Sequence, residues 1–395
     1  MANEYSKLLD SISDGVSQKI SVPKALEVLR DQLTDISKNN KSLHISRLSM
    51  RLHFDLSEIL EGNKSEALRL AEKIDARKPL RLVKVITPRE DEMASSYRLT
   101  HLQREADFIE KETGNYDVYI GYPFVEGAFG DGTHFKCPLL LYPAVIEKDY
   151  KKLEFQAKPD LDRTPILNKT FIIAYQKFNR IKFNPEYDFE IEEGENGFLK
   201  NGIKKCEDLG IRFTNKQILE SGVTEYDPKS QKRQANSISL RNFAILGLFP
   251  QTSSTLLADY ESLMKESPKD GALYSFFNGE AQDKGEWLKP SEHANKAYLV
   301  TDVDASQEKA LLSLEKLGGI AIHGPPGTGK SQLIVNILAD SVAKGKRTLL
   351  VCEKRAALDV VYNRMSSIGL GDMVALVHDY NKDRHAVFQK AAKNI

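Results

Sequence analysis

Apolar residues recur at helical intervals through the first hundred positions. Ile20, Val22, Ala25, Leu26, Val28, Leu29 and Leu33 share one helix face, with Pro23 near the start where its fixed φ is tolerated. Leu56, Ile59 and Leu60, then Ala67, Leu68, Leu70 and Ala71, predict two more helices. Pro79 to Ile86 alternates as a strand, and Ser95 to Glu112 returns to helix with a charged, solvated face. From about 113 the pattern turns to β. Tyr116 to Tyr122 alternates and is rich in aromatics, and Phe124 to Thr133 is glycine-rich and reads as a loop. Pro138 to Ile146 reads as a buried strand in which Pro143 marks a bulge or an edge. Lys151 to Ala157 and Thr170 to Phe178 read as further strands. Ser237 to Phe249 is apolar and stops at Pro250, and Leu256, Leu257, Tyr260 and Leu263 predict a short helix.

Residues 265–295 are rich in Lys, Asp, Gly and Glu around the lone Trp287 and read as a connector. Beyond about 300 the elements alternate. Ser306 to Leu317 predicts a helix, Gly319 to His323 a strand, and Leu333, Ile334, Ile337, Leu338 and Val342 a helix closed by Gly345. Thr348 to Cys352, Arg355 to Met365 and Met373 to Val377 continue as strand, helix and strand. That order, β-α-β-α-β, opens a parallel doubly wound sheet, which binds ligands at the carboxyl ends of its strands.

Between the first of these strands and its helix stands Gly324-Pro325-Pro326-Gly327-Thr328-Gly329-Lys330-Ser331. It satisfies G-x-x-x-x-G-K-[ST], a loop that cradles phosphates. Glycines leave no Cβ between the backbone and a ligand, so main-chain amides converge on phosphate oxygens at the positive end of the following helix. Lys330 would reach the β- and γ-phosphates, and the Ser331 hydroxyl would ligate Mg²⁺. Pro325 and Pro326 restrict the loop before anything binds.

Composition narrows the picture without naming a partner. The 395 residues allow two or three domains, and 41% hydrophobic with 28% charged residues is ordinary for a soluble protein. Lys+Arg and Asp+Glu stand at 56 each, so nucleic-acid binding would need a local basic patch. Cys137, Cys206 and Cys352 offer neither a disulfide framework nor metal-ligand spacing, which fits a reducing compartment. Met1 to Leu9 lacks an apolar signal core and no run approaches a membrane span, so the expected location is cytoplasmic. The acidic cluster from Glu186 to Glu195 and the basic one of Lys229, Lys232 and Arg233 read as solvated surface. The tyrosines and phenylalanines of the β region admit a base-stacking platform, but sheet core is the simpler reading.

The phosphate loop followed by Gln332 resembles superfamily-1 helicases of the kind related to the nonsense-decay and senataxin motors. Asp304-Ala305-Ser306-Gln307 resembles their Q motif, whose glutamine reads adenine. Val351-Cys352-Glu353-Lys354-Arg355-Ala356-Ala357-Leu358-Asp359-Val360-Val361 resembles their motif Ia, which implies that Lys354 and Arg355 touch single-stranded nucleic acid. The chain is similar to large bacterial helicases with an N-terminal domain of unknown function. In those a Ser-Glu-Lys-x-Ala-Ala-Leu-x-Val-Val segment follows the loop. Lys136 to Ala144 resembles their Ala-Pro-Leu-Leu-Leu-x-Pro-Val strand.

The resemblance implies an α/β multi-domain protein: a mixed α+β N-terminal region followed by the first half of a RecA-like parallel sheet. The expected divisions are 1–112 mainly helical, 113–264 α+β, 265–299 connector and 300–395 incomplete motor domain. ATP and Mg²⁺ would be held by Gln307, Gly324, Pro325, Pro326, Gly327, Thr328, Gly329, Lys330, Ser331 and Gln332. The intact protein would move on single-stranded DNA or RNA at the expense of ATP.

The motor is incomplete in these residues. Hydrolysis needs an acidic pair after a later strand and an arginine from a second motor domain. Only 64 residues follow Ser331 and none supplies that pair. Asp91-Glu92 precedes the loop, and Val377-His378-Asp379 lacks a second carboxylate. The expectation is an N-terminal portion of a longer helicase or a truncated gene product. The alternative is a non-catalytic module binding nucleic acid or protein, with a vestigial nucleotide site. An AAA+ or kinase-like protein fits the loop but not Gln307 and the motif-Ia segment.

Overall fold

The computed structural model describes residues 21–33, 40–60, 64–85, 90–179, 187–194, 197–230, 237–251, 254–266, 297–314, 320–378 and 380–393, with positions 36, 181, 269, 270 and 274 besides. Ile20, Ile86, Glu186, Glu195, Lys232, Arg233, Trp287, Leu317, Gly319 and Asp379, used above, lie outside them. In chain order the elements are α1 (Val22–Leu33), β1 (His53–Asp55), α2 (Lys64–Asp75), β2 (Leu80–Lys84), α3 (Glu90–Thr113) and β3 (Val118–Gly121). Then come β4 (Phe124–Ala128), β5 (His134–Pro138), β6 (Leu140–Asp149), β7 (Glu154–Pro159), β8 (Ile166–Leu167), α4 (Lys169–Phe178) and α5 (Gly197–Asp208). The remainder are β9 (Ile238–Arg241), β10 (Ile245–Leu248), α6 (Ser254–Glu266), α7 (Ala305–Leu314), α8 (Lys330–Ala343), α9 (Arg355–Ser367) and α10 (Tyr380–Lys393). They divide between two compact units, Leu29–Phe108 with Tyr116–Ser262, and Met1–Val28 with Ile109–Asn115 and Leu263–Ile395.

The first unit is built on antiparallel sheets. Seven strands run in the order β1-β10-β3-β6-β7-β2, with β8 paired to β6, and three more run β5-β4-β9. Pro143 is neither a bulge nor an edge. It sits inside β6 where that strand leaves β3 and β8, paired through Leu140 to Pro143, and joins β7 from Ala144 onward. A proline's missing donor is tolerated at such a change of partners. The expected loop at Phe124 to Thr133 is largely strand: β4 is paired on both sides, and a Cβ on Gly127 would meet the Ser237 carbonyl at 2.1 Å. Glycine there permits close strand approach rather than a turn.

The expected strand at Thr170 to Phe178 is the helix α4. Asn168 Oδ1 accepts the Phe171 amide at 3.3 Å as its N-cap, and Phe171, Ile172 and Ala174 are fully buried. Capping and burial override the β-preference of its branched and aromatic residues. Tyr150 is exposed, whereas Phe124, Phe243, Tyr226, Tyr119 and Phe249 pack in one buried cluster with Ile45, so these aromatics are core. Each contributes roughly 1.5–3 kcal/mol by burial.

The second unit is helical among the described residues. Leu311 and Ala310 of α7 pack on Leu333 of α8, and Val335 of α8 packs on Val361 and Met365 of α9. The segments expected as parallel strands, at 320–323, 348–352 and 374–377, carry no strand pairing, and Gly371–Met373 forms a 3₁₀ turn. Leu349 and Val351 are 86% and 77% exposed. A parallel strand is stable only with paired neighbours, and these segments have none here, although Leu350 and Val374 pack against the cluster of Val335, Val361 and Met365.

Candidate nucleotide-binding site

Gly324 to Ser331 joins residues 320–323, which lie in no helix or strand, to α8. Gly327 and Gly329 take φ of 88° and 76°, in the left-handed region. Gly329 starts the helix, its carbonyl accepting from Gln332 at 2.9 Å and Leu333 at 3.0 Å. A Cβ on Gly329 would lie 2.4 Å from Gln307 Nε2, so both the backbone and the packing require glycine. No side chain caps α8. Its first amides and positive dipole end therefore remain available to an anion.

Thr328 closes the loop by donating from Oγ1 to the Pro325 carbonyl at 2.9 Å. Lys330 Nζ donates to the same carbonyl at 2.8 Å and to that of Gly324. The ammonium thus lies against the loop's own carbonyls, where charged phosphate oxygens would compete as stronger acceptors.

The expected adenine reader, Gln307, is 9% exposed and bonded at both ends of its amide. Asp304 Oδ1 accepts the Ser306 and Gln307 amides, each at 2.8 Å, and Gln307 Oε1 accepts the Asp304 amide at 3.3 Å. This reciprocal pair is a capping box for α7. Gln307 Nε2 then donates to the Thr328 carbonyl at 3.2 Å. One side chain both starts α7 and holds the phosphate loop.

A second set of contacts fixes the chain entering α7. Gln332, Asn336 and Asp340 lie four residues apart on one face of α8. Gln332 Nε2 donates to the Asp302 carbonyl at 2.5 Å. Asn336, fully buried, accepts the Val300 and Thr301 amides at 2.9 and 3.1 Å and donates to the Thr301 carbonyl and hydroxyl at 3.2 and 2.9 Å. Asp340 Oδ1 accepts the Tyr298 amide at 2.9 Å while Oδ2 pairs with Lys344 at 2.8 Å. Asn336 and Asp340 fall outside the apolar stripe that marks α8 in the sequence. Their signal was a polar residue repeated every fourth position on an otherwise apolar helix.

Gln307 and Gln332 are thus gathered around the loop from Gly324 to Ser331. Lys354 and Arg355, at the start of α9, are each paired with a carboxylate: Lys354 Nζ with Glu112 at 2.8 Å and Arg355 Nε with Asp359 at 3.7 Å. The hydrogen bond and charge of Glu112 hold the Lys354 ammonium above its ordinary pKa. Asp359 also meets His378 Nε2 at 3.1 Å, so His378 is a structural partner of α9. Among the described residues no helix is long and apolar enough to cross a membrane, and no three His, Cys, Asp or Glu are grouped to hold a metal ion.

Residues 302–392 match the AAA domain family model. Over 269 residues the chain is 29% identical to the uncharacterized ATP-dependent helicase MG140 homolog of Mycoplasma pneumoniae. Over 267 residues it is 27% identical to the uncharacterized ATP-dependent helicase MG140 of Mycoplasma genitalium. Each match covers 65% of this chain and 23% of the relative. An 84-residue stretch, 20% of the chain, is 38% identical to 12% of the DNA polymerase alpha-associated DNA helicase A of Schizosaccharomyces pombe. No solved structure matches the chain. The chain spans less than a quarter of the Mycoplasma relatives it matches.

Proposed function

We propose that this chain, whose AAA segment and homology to ATP-dependent helicases support an N-terminal portion of a superfamily-1 helicase, binds ATP with Mg²⁺ at Gly324–Ser331 and serves a nucleic-acid motor. The observation that carries the proposal is the loop's geometry: an uncapped helix start, two left-handed glycines and an ammonium held at the loop. Those are the elements that bind a polyphosphate. The loop amides and Lys330 would take the β- and γ-phosphates, and Ser331 would complete the Mg²⁺ shell.

Gln307 would meet the adenine ring by exchanging its bond to the Thr328 carbonyl for one to the base. Nucleotide identity and loop order would then be linked through one side chain. Lys354 and Arg355 would contact a single strand by exchanging their carboxylate partners for phosphates. The segments 320–323, 348–352 and 374–377 would be strands of a parallel sheet, ordered when neighbours pair with them. In the intact protein the reaction would be ATP hydrolysis coupled to movement on single-stranded DNA or RNA.

Calorimetric titration of the chain with Mg·ATP tests the nucleotide step. Removing the ammonium in Lys330→Ala deletes a charge-assisted contact of about 1.5–3 kcal/mol, an affinity loss of at least tenfold. Equal affinity in native and variant chains would overturn the assignment.

A further inference from the structure

The neutral charge balance of the chain hides one concentrated stretch. Between residues 64 and 84 there are seven Lys or Arg (64, 69, 73, 77, 78, 81 and 84) against three acids (66, 72 and 75). The structure sorts them. Asp75 is turned inward, accepting the Leu199 amide at 2.7 Å and the Tyr142 hydroxyl at 3.0 Å, and Arg77 is spent on the Asp160 and Arg163 carbonyls. Arg69 and Lys73 project one turn apart from α2, and Arg81 projects from β2. The three line a groove of about 540 Å³ floored by Leu70, Pro79 and Leu80. Glu66 is the carboxylate on its wall. Arg81 has a loose partner, Glu154 at 3.6 Å, and its side chain remains 74% exposed.

β2 is the last strand of the seven-stranded sheet. Basic residues on an edge strand deter unwanted strand pairing, and that alone accounts for Arg81 and Lys84. It does not account for Arg69 and Lys73, which stand on a helix and face the same groove.

We propose that the α2–β2 groove is a binding site for the phosphodiester backbone of a single nucleic-acid strand. Charge complementarity selects a polyanion. The choice of nucleic acid among polyanions rests on the helicase reading given above. Cβ atoms one helical turn apart are separated by roughly 6 Å, so Arg69 and Lys73 can address neighbouring phosphates of one strand. The apolar floor would take sugar edges. Among the described residues the groove is lined by no aromatic side chain, and contacts to phosphates alone carry no base sequence information.

The test is fluorescence anisotropy of the full 395-residue chain with a labelled single-stranded oligonucleotide over a range of salt. Arg69→Gln/Lys73→Gln/Arg81→Gln should weaken binding at least tenfold at low salt and flatten the slope of log K against log salt by about 2, for three contacts on a single strand. The same variant should bind Mg·ATP like the native chain. Lys330→Ala should bind the oligonucleotide like the native chain, so failure of the nucleotide assignment and failure of the groove remain separate results. Because the three side chains are on the surface, an unchanged melting temperature certifies the fold. An unchanged affinity and salt slope in the triple variant would overturn the proposal.

Discussion

Gln307 and Thr328 are joined by a 3.2 Å hydrogen bond from the amide nitrogen of one to the main-chain carbonyl of the other. The carbonyl belongs to the phosphate loop, and the amide's oxygen is meanwhile bound to the Asp304 N–H. A change at position 307 therefore acts on the start of α7 and on the loop together.

Gln307→Glu separates those two effects. A carboxylate still accepts from Asp304 but does not donate to Thr328, so α7 stays capped while the loop is released. Loss of one such bond is worth about 0.5–1.5 kcal/mol. We expect Mg·ATP affinity to fall about threefold to tenfold with the melting temperature little changed. A variant with native affinity would show that neither the loop bond nor the base contact proposed for Gln307 contributes to nucleotide binding.

Gly329→Ala is expected to be more severe. It places a methyl group against Gln307 Nε2 and forces a side chain into left-handed backbone. The strain is of order 1–3 kcal/mol, and the Gln307 contact is displaced as well. Nucleotide binding should drop below detection by calorimetry while the first unit keeps its fold by circular dichroism. Native affinity in this variant would contradict the assigned geometry.

Asn336→Leu tests the contacts along α8. The substitution keeps the branched shape but removes the partner of the Val300 and Thr301 amides and of the Thr301 carbonyl. Each such bond lost is worth about 0.5–1.5 kcal/mol. The second unit should unfold at markedly lower denaturant, and proteolysis should begin within 298–304. Equal unfolding midpoints for native and variant would remove Asn336 from the framework of the site.

Acid sensitivity should trace in part to His53. Its Nδ1 accepts the Ser49 amide at 3.1 Å, its ring lies against Phe249, and burial, helped by Lys41, lowers its pKa to about 4. Between pH 4 and 6.5 the unfolded chain takes up a proton that the folded chain does not. The stabilisation is complete above about 6.5 and is lost towards 4, with an amplitude of about 3 kcal/mol. Asp117, raised by burial to about 6, acts in the opposite sense over the same range. The informative quantity is therefore the difference between the native chain and His53→Gln. On acidification the variant should lose less stability in urea titrations than the native chain. Parallel losses would exclude His53.

The conformation of the loop from Gly324 to Ser331 was legible in the sequence because its determinants are local: glycine torsions, one lysine and two hydroxyls within eight positions. Helices with a clear apolar stripe, such as Val22–Leu33 and Lys64–Asp75, were legible for the same reason. What depended on distant partners was not. Phe171 and Ile172 suit a strand as well as a helix, and it is Asn168 and the surrounding core that decide. Gly127 suggests a loop until Ser237 is found against it. The double use of Gln307 and the role of Asn336 depend on which backbone runs beside α8, which no spacing rule records. Ile320 to His323 and Thr348 to Cys352 have the composition of buried strands, yet composition does not supply the neighbours that strands require.

The most direct measurement is a Mg·ATP titration of the chain labelled with ¹⁵N-glycine. If main-chain amides of the loop hold the phosphates, the Gly324, Gly327 and Gly329 resonances shift with one common dissociation constant, while those of Gly132 and Gly210 stay fixed. Resonances of 324, 327 and 329 that remain unmoved at saturating Mg·ATP would contradict the account.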